Sequence, residues 1–204
     1  MLHRNPIVTG AGLDSIPMNL FDTPAGFDDP VEFVWDQSSV TWLGCHRRIE
    51  KQLKTLEKLA VHVAQHGVDI EATAAAQAVL RYFEKSGPFH HEDEDKDLFP
   101  LLALRISDAG DRERFAALRE RLEADHKAME AAWARIRKPL AAIAEGLHKS
   151  LPVPDVNAFR EIYATHIPLE DGAIPDLAKR YLDERDLESL GRAMAERRGV
   201  AFPA

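Results

Sequence analysis

Cysteine is almost missing from this chain of 204 residues, since Cys45 is the only one. A single cysteine excludes an internal disulfide and a cysteine-rich zinc module, and it is typical of a reducing cytosol. Long apolar runs are also missing: none reaches the roughly 18 residues of a membrane span, and residues 1–10 have no apolar core like that of a signal peptide. We therefore expect a cytoplasmic protein.

Positive charge is too scarce for a general binder of nucleic acid or anionic membranes. The formal net charge is -8, whereas both kinds of partner require a basic surface to attract phosphates. Aromatic residues make up only 7% of the chain, but the 45% hydrophobic content is that of a folded globular protein. The length suits one main domain.

The hydrophobic pattern divides the chain into three parts. Residues 1–30 are rich in glycine and proline and have no sustained period, so we predict an irregular N-terminal arm. Residues 31–182 carry apolar side chains at helical spacing in four long stretches, and no convincing strand pattern occurs. This predicts an all-α fold, an antiparallel four-helix bundle, followed by a short C-terminal helix and tail over residues 183–204.

Capping and breaking residues give the helix bounds. The first helix is predicted over about residues 31–66, and a bend is expected at Gly87-Pro88 in the second. The third helix should restart at Gly110-Asp111, and the fourth should run from a cap at Asp155 to Tyr181. The other predicted boundary residues are Gly67, Asp69, Asp183 and Gly199.

Nine histidines stand out in this acidic chain, because four of them precede a glutamate by four residues. Such a pair is usually a solvated contact on one helix face. Here, however, one pair lies on each long predicted helix, so a bundle would bring them together. The pairs are His46/Glu50, His90/Glu94, His126/Glu130 and His166/Glu170.

The apolar stripes separate these residues into two groups. Glu50 and Glu130 lie at the edges of their stripes, whereas both members of the other two pairs lie on them. A buried carboxylate is costly unless it is paired or binds a metal. The residues predicted to converge in the core are His46, His90, Glu94, His126, His166 and Glu170.

Imidazole and carboxylate donors without thiolates favour iron or manganese over zinc and copper. One tetrahedral zinc would leave two of the six groups unused, so two metals fit better. Glu94 and Glu170 are then expected to bridge the metals, each of which takes two histidines. Room remains for a bridging oxygen and for open positions where dioxygen, peroxide or nitric oxide could bind.

Residues 89–100, FHHEDEDKDLFP, resemble the HHxxE(E/D)xxLFP signature of the hemerythrin-like, or HHE cation-binding, family. Residues 45–50, the Asp125-His126 step and residues 166–171 resemble its other histidine segments, so the resemblance covers about residues 31–182. It implies a four-helix bundle around a non-haem diiron centre, with two oxo- or hydroxo-bridged iron ions as the cofactor. Manganese or zinc would be substitutes.

Oxygen carriers of that family have a further histidine from an HxxxH pair on the third helix. The matching places around His126 hold Leu122 and Glu130. We therefore expect reaction with dioxygen or peroxide instead of reversible oxygen carriage. One coordination position is left to water, an oxygen species or Glu130.

The remaining candidates are weaker. His91 lies beside its stripe, and we expect it to contact a ligand residue or solvent instead of a metal. His62 and His66 are expected to be exposed near the end of the first helix, and Trp133 and Tyr163 to pack around the metals.

Three functions are compatible with these residues. The first is a diiron protein that binds or turns over dioxygen, peroxide or nitric oxide, with this small molecule as its partner and no nucleic acid or membrane involved. The second is an iron or oxygen sensor, or an iron-storage module, that acts through partner contacts. The third is a metal-free structural bundle, which would leave two core glutamates without partners.

Overall fold

The computed structural model describes residues 40–148 and 150–202, and these ranges contain helices and no strand. The predicted N-terminal arm lies outside them. The α-helices are α1 (Val40–His66), α2 (Ile70–Arg81), α3 (Gly87–Glu92), α4 (Phe99–Arg105), α5 (Ala109–Ala144), α6 (Val153–Asp171), α7 (Ile174–Tyr181) and α8 (Glu184–Arg198). Two π-helical segments, π1 (Tyr82–Ser86) and π2 (Asp93–Leu98), join α2, α3 and α4 into one continuous rod.

Four rods form the bundle: α1, the rod over residues 70–105, α5 and α6. Each contacts the next in chain order, and α6 closes the ring against α1. Short connections between neighbouring rods make them antiparallel. The sequence-based fold class is therefore confirmed. α7 packs on α4 and α6, while α8 packs on α3 and π2.

Both π-helical segments end directly before a proline-containing step. The amide of Gly87 bonds to the carbonyl of Tyr82, and Pro88 follows. In the same way the amide of Phe99 bonds to Glu94 ahead of Pro100. Because a proline ring collides with the carbonyl four residues earlier, the wider π turn lets the rod continue. At Gly87-Pro88, where a bend was expected, the structure has an unbroken rod with a π segment.

Several predicted boundaries are confirmed. Gly67 and Gly199 follow α1 and α8 with φ of 81° and 67°, a left-handed conformation that suits glycine. The Asp69 side chain accepts a hydrogen bond from the Ala72 amide at the start of α2. Asp183 and the amide of Asp186 form the corresponding cap of α8.

Three predicted boundaries are wrong. Asp155 does not cap the fourth helix, because α6 begins at Val153, where Pro154 fits the first turn. That helix also ends at Asp171 instead of running to Tyr181, since Pro175 would collide with the Asp171 carbonyl if the helix continued. α5 begins one residue before the predicted restart and is capped by Asp108.

The core consists of two apolar clusters. The larger contains Phe83, Met129 and Tyr163, and the smaller contains Leu98 and Leu122. On the second and third rods of the bundle, the predicted metal residues lie in sequence between members of the two clusters. The fold therefore places a polar layer between two apolar ones. None of the helices in the described ranges combines the length and apolar character needed to cross a bilayer.

Candidate metal centre

All six predicted core residues converge inside the bundle. His46 comes from α1, His90 from α3, Glu94 from π2 and His126 from α5, while α6 supplies both His166 and Glu170. Each of the six is at most 5% exposed. Glu50 and Glu130 are exposed, which confirms that they lie on the outer side of their helices.

The two buried carboxylates each lie beside two histidines. Oε1 of Glu94 lies 3.1 Å from Nε2 of His90, and its Oε2 lies 3.4 Å from Nε2 of His126. Oε2 of Glu170 lies 3.2 Å from Nε2 of His166 and 3.4 Å from Nε2 of His46. Each glutamate therefore connects histidines from two different rods.

The histidines form two pairs. The ring centroids of His46 and His90 are 4.9 Å apart, and those of His126 and His166 are also 4.9 Å apart. Glu94 and Glu170 each contact one histidine of each pair. The six side chains thus have the arrangement of two imidazole pairs joined by two carboxylates.

Within the part of the chain that the structure describes, the inward-facing atoms lack hydrogen-bond partners. This holds for Nε2 of three of the histidines, both oxygens of Glu94 and Oε2 of Glu170, despite their short separations. Buried polar atoms are nearly always hydrogen-bonded, and a group of unpartnered ones calls for an explanation such as a bound ion. Because the unpartnered atoms are electron-pair donors that meet at one place, they fit a cation. The three histidines are His46, His126 and His166.

A second set of carboxylates orients the histidines from behind. Nδ1 of His46 donates to Asp171 at 2.7 Å, and Nδ1 of His126 donates to Asp95 at 2.9 Å. A proton held on Nδ1 leaves the lone pair of Nε2 free for a metal. Asp125 lies 3.7 Å from Nδ1 of His166, beyond hydrogen-bond distance.

Sequence reasoning did not predict which histidines these aspartates contact. Each of the three is adjacent in sequence to a predicted site residue, as in Glu94-Asp95, Asp125-His126 and Glu170-Asp171. One helical step turns a side chain by about 100°, which directs it towards a neighbouring helix. The sequence signal that could have identified these aspartates is therefore a carboxylate directly next to a core histidine or glutamate.

Burial has strong electrostatic effects at this centre. It is the main factor that raises the pKa of Glu94 well above its usual value, followed by the nearby Glu170 carboxylate. Burial alone would also raise the pKa of Glu170, but the adjacent His166 and His46 side chains outweigh it and lower that pKa well below the usual range. Burial lowers the pKa of His90 to about 3, so its imidazole stays neutral and can act as a metal ligand.

The donor set fits metal binding. One donor atom from each of His46, His90, Glu94 and Glu170 lies within 4.8 Å of the other three, so one cation can contact all four residues. His126 and His166 lie against the same two carboxylates.

The weaker sequence candidates have mixed outcomes. His66 is exposed as expected, but His62 is buried, with its Nε2 2.8 Å from Asp69. Nε2 of His91 is buried and its ring stacks on His126. Trp133 and Tyr163 pack around Phe159, beside the centre.

Comparison with known proteins agrees with this geometry. The chain is 23% identical over 173 residues to an uncharacterized protein of Haemophilus influenzae, an alignment that covers 84% of this chain and 96% of that protein. The family model described as Hemerythrin HHE cation binding domain matches residues 38–177, which is more than half of the chain and includes all six converging residues. The chain therefore belongs to the hemerythrin HHE cation-binding family.

Proposed function

We propose that this chain is a non-haem diiron protein that reacts with a small oxygen or nitrogen species such as dioxygen, peroxide or nitric oxide. One observation carries the proposal: two histidine pairs face two shared carboxylates, and the inward atoms have no other partner. A single ion would use only part of this set. Iron is favoured because the donors are imidazole and carboxylate and because the family is hemerythrin-like.

In this function His46 and His90 would hold one iron and His126 and His166 the other, and both Glu94 and Glu170 would contribute carboxylate ligands. The iron pair supplies redox chemistry when it is bound. Asp171 and Asp95 keep a proton on Nδ1 of His46 and His126 and thereby orient the rings. The apolar clusters above and below the site exclude bulk water.

The residues around His126 on the third rod favour reaction with a small molecule over reversible binding of oxygen. Around His126, Leu122 is fully buried but has no donor atom, and the side chain of Glu130 points to solvent. Six protein residues shared between two ions leave coordination positions for a small molecule. Turnover of peroxide or nitric oxide is therefore the expected activity.

A sensor or iron-storage module is the second candidate, and one contact favours it. α8 packs on π2, where Arg198 binds Asp93, the residue next to Glu94. A change in metal or ligand occupancy at Glu94 would reach α8 through this contact. Such a change could alter the surface of α8 and thereby its recognition by a partner protein.

The experiment is metal analysis and visible spectroscopy of the protein purified after expression with ample iron. We expect about two irons per chain and the near-ultraviolet absorption of an oxygen-bridged ferric pair, since the donor set is built for two ions. After reduction, exposure to oxygen should give rapid one-way oxidation, and added peroxide should be consumed. His46→Ala should lose this behaviour, whereas the exposed His66→Ala, on the same helix, should keep it.

Other results would contradict the proposal. One metal or none per chain would remove the diiron assignment. An oxygenated spectrum that disappears under vacuum and returns repeatedly would identify an oxygen carrier. Stable iron without peroxide consumption or oxidation, combined with a change in α8 exposure on loading, would favour the sensor.

A further inference from the structure

His91 is the histidine at the centre that the arrangement of two pairs leaves unused. Its ring stacks on His126, with centroids 4.1 Å apart and an interplanar angle of 13°. The Tyr163 ring lies on another side at 6.2 Å and 26°. His91 therefore belongs to a stack of rings that runs from Tyr163 through the metal-facing His126 to Phe99.

The Nε2 atom of His91 is buried and has no hydrogen-bond partner among the described residues. Leaving such an atom unpaired costs stability, and packing alone would be served equally well by a phenyl ring. A polar atom in this position is explained if a ligand that is not part of the chain forms a hydrogen bond with it. The neighbouring rings of His126 and His166, 4.1 and 6.5 Å away, place it beside one histidine pair.

The stacking geometry argues against direct ligation by His91. A metal lies in the plane of an imidazole that binds it, along the lone pair of the nitrogen. Two rings that are nearly parallel with centroids 4.1 Å apart lie face to face, in different planes. A metal held by Nε2 of His126 would therefore not be ligated by His91 as well.

We propose that Nε2 of His91 is the hydrogen-bonding position for a small oxygen- or nitrogen-containing ligand that enters the centre beside His126 and His166. This rests on the proposed function and deepens it, because it assigns the side on which the ligand binds. A ligand of two or three atoms is small enough to lie between a metal and a ring one layer away. His91 is a positioning residue, since it acts on the ligand and holds no metal.

A surface groove lies at the Tyr163 end of this stack of rings. It has a volume of about 530 Å³ between α1 and α6, and Tyr163 is among its lining residues. The rim carries the ion pair of Glu57 and Arg160, with 2.7 Å between the charged atoms. Tyr163 therefore contacts both this groove and the His91 ring.

The test uses the iron-loaded full chain and azide as the probe, with its dissociation constant measured from the visible spectrum. His91→Phe keeps a stackable ring but removes the nitrogen, so it should retain about two irons and an unchanged spectrum without azide. Its azide binding should weaken roughly tenfold, the loss typical of one hydrogen bond to a charged group. His91→Gln should recover part of the affinity, and His66→Phe should match the wild type.

Equal azide affinity in the wild type and both His91 variants would overturn the proposal, because the ring would then only pack. Loss of iron or a shifted spectrum without azide in His91→Gln would also overturn it, by showing direct ligation. Failure of the proposed function looks different: the wild type itself would hold no iron pair, and both proposals would fall together.

Discussion

At the scale of residues, burial separates glutamates that share the same spacing from a histidine. Glu94 and Glu170 are at most 1% exposed, while Glu50 and Glu130 are exposed. We expect Glu94→Ala or Glu170→Ala to lower metal affinity by at least about tenfold, since each removes a donor shared by two histidine pairs. Glu50→Ala and Glu130→Ala should leave metal content near normal. Metal analysis of the four purified variants measures the difference.

The two exposed glutamates serve as matched controls, because each also follows a core histidine by four residues. Circular dichroism should confirm that all four variants remain helical. Equal metal loss from Glu50→Ala and Glu94→Ala would contradict the division into buried and exposed pairs.

The position of a residue on its apolar stripe predicted which side chains meet in the core, because that position depends only on helical periodicity. His46, His90 and His126 are buried as their stripes indicate. Residues that face a neighbouring helix follow a different rule. The contact of Asp95 with His126 depends on how closely two rods approach, and a pattern within one helix does not contain that distance.

At the scale of elements, the positions of the prolines in the sequence did not predict whether a helix ends or continues there. Pro88 and Pro100 each follow a π turn that keeps the rod continuous, whereas Pro175 follows a real break between α6 and α7. The same residue type therefore has two outcomes. Packing against neighbouring elements decides between them, and the sequence of one helix does not specify that packing.

The contact between α8 and π2 holds the segment that carries Glu94. Asp93 is 1% exposed and binds both Arg197 and Arg198, the latter at 2.5 Å. Arg197 also binds Asp97 at 2.6 Å. A buried carboxylate with two guanidinium partners anchors the C-terminal helix to the rod at the metal centre.

Arg198→Ala should lower the free energy of unfolding by about 2–3 kcal/mol, because it leaves part of a buried charge uncompensated. Iron should also pass to a chelator faster, since π2 is held less firmly. Urea unfolding and the rate of iron transfer measure the two effects. The control is Arg192→Ala on the same helix, whose pair with Glu188 is exposed and is worth about 0.5 kcal/mol.

A stability loss in Arg198→Ala no larger than that in Arg192→Ala would show that α8 is only loosely attached. A stability loss without faster iron transfer would show that α8 supports the fold but does not hold the metal segment.

At the scale of the whole molecule, the polar layer costs stability when no cation is bound. Four rods place two carboxylates and five imidazoles close together, and burial disfavours the charged forms of His90, His91 and Glu94. Bound cations reverse this cost, because they favour the ionised carboxylates and neutral imidazoles that the layer provides. Metal binding is therefore expected to stabilise the bundle.

The metal-free protein should show this cost as a dependence of stability on pH. Burial is the main factor that raises the pKa of Glu94 well above its usual value of 4.5. As pH rises above the unfolded pKa, the unfolded chain releases this proton while the folded chain keeps it, so the contribution of Glu94 to stability falls. Glu94→Gln cannot ionise and avoids the loss. The free energy of unfolding of Glu94→Gln minus that of the wild type should therefore increase by up to about 1.4 kcal/mol per pH unit.

Urea unfolding of chelator-treated protein between about pH 5 and about pH 8 measures this gain. Glu50→Gln is the control, and its difference from the wild type should not change with pH because Glu50 is exposed. The same Glu94→Gln change should weaken metal binding, so one substitution should stabilise the empty bundle and damage the loaded one. If the difference in free energy of unfolding between Glu94→Gln and the wild type decreases as pH rises, Glu94 is ionised in the empty bundle. Burial would then not control its charge.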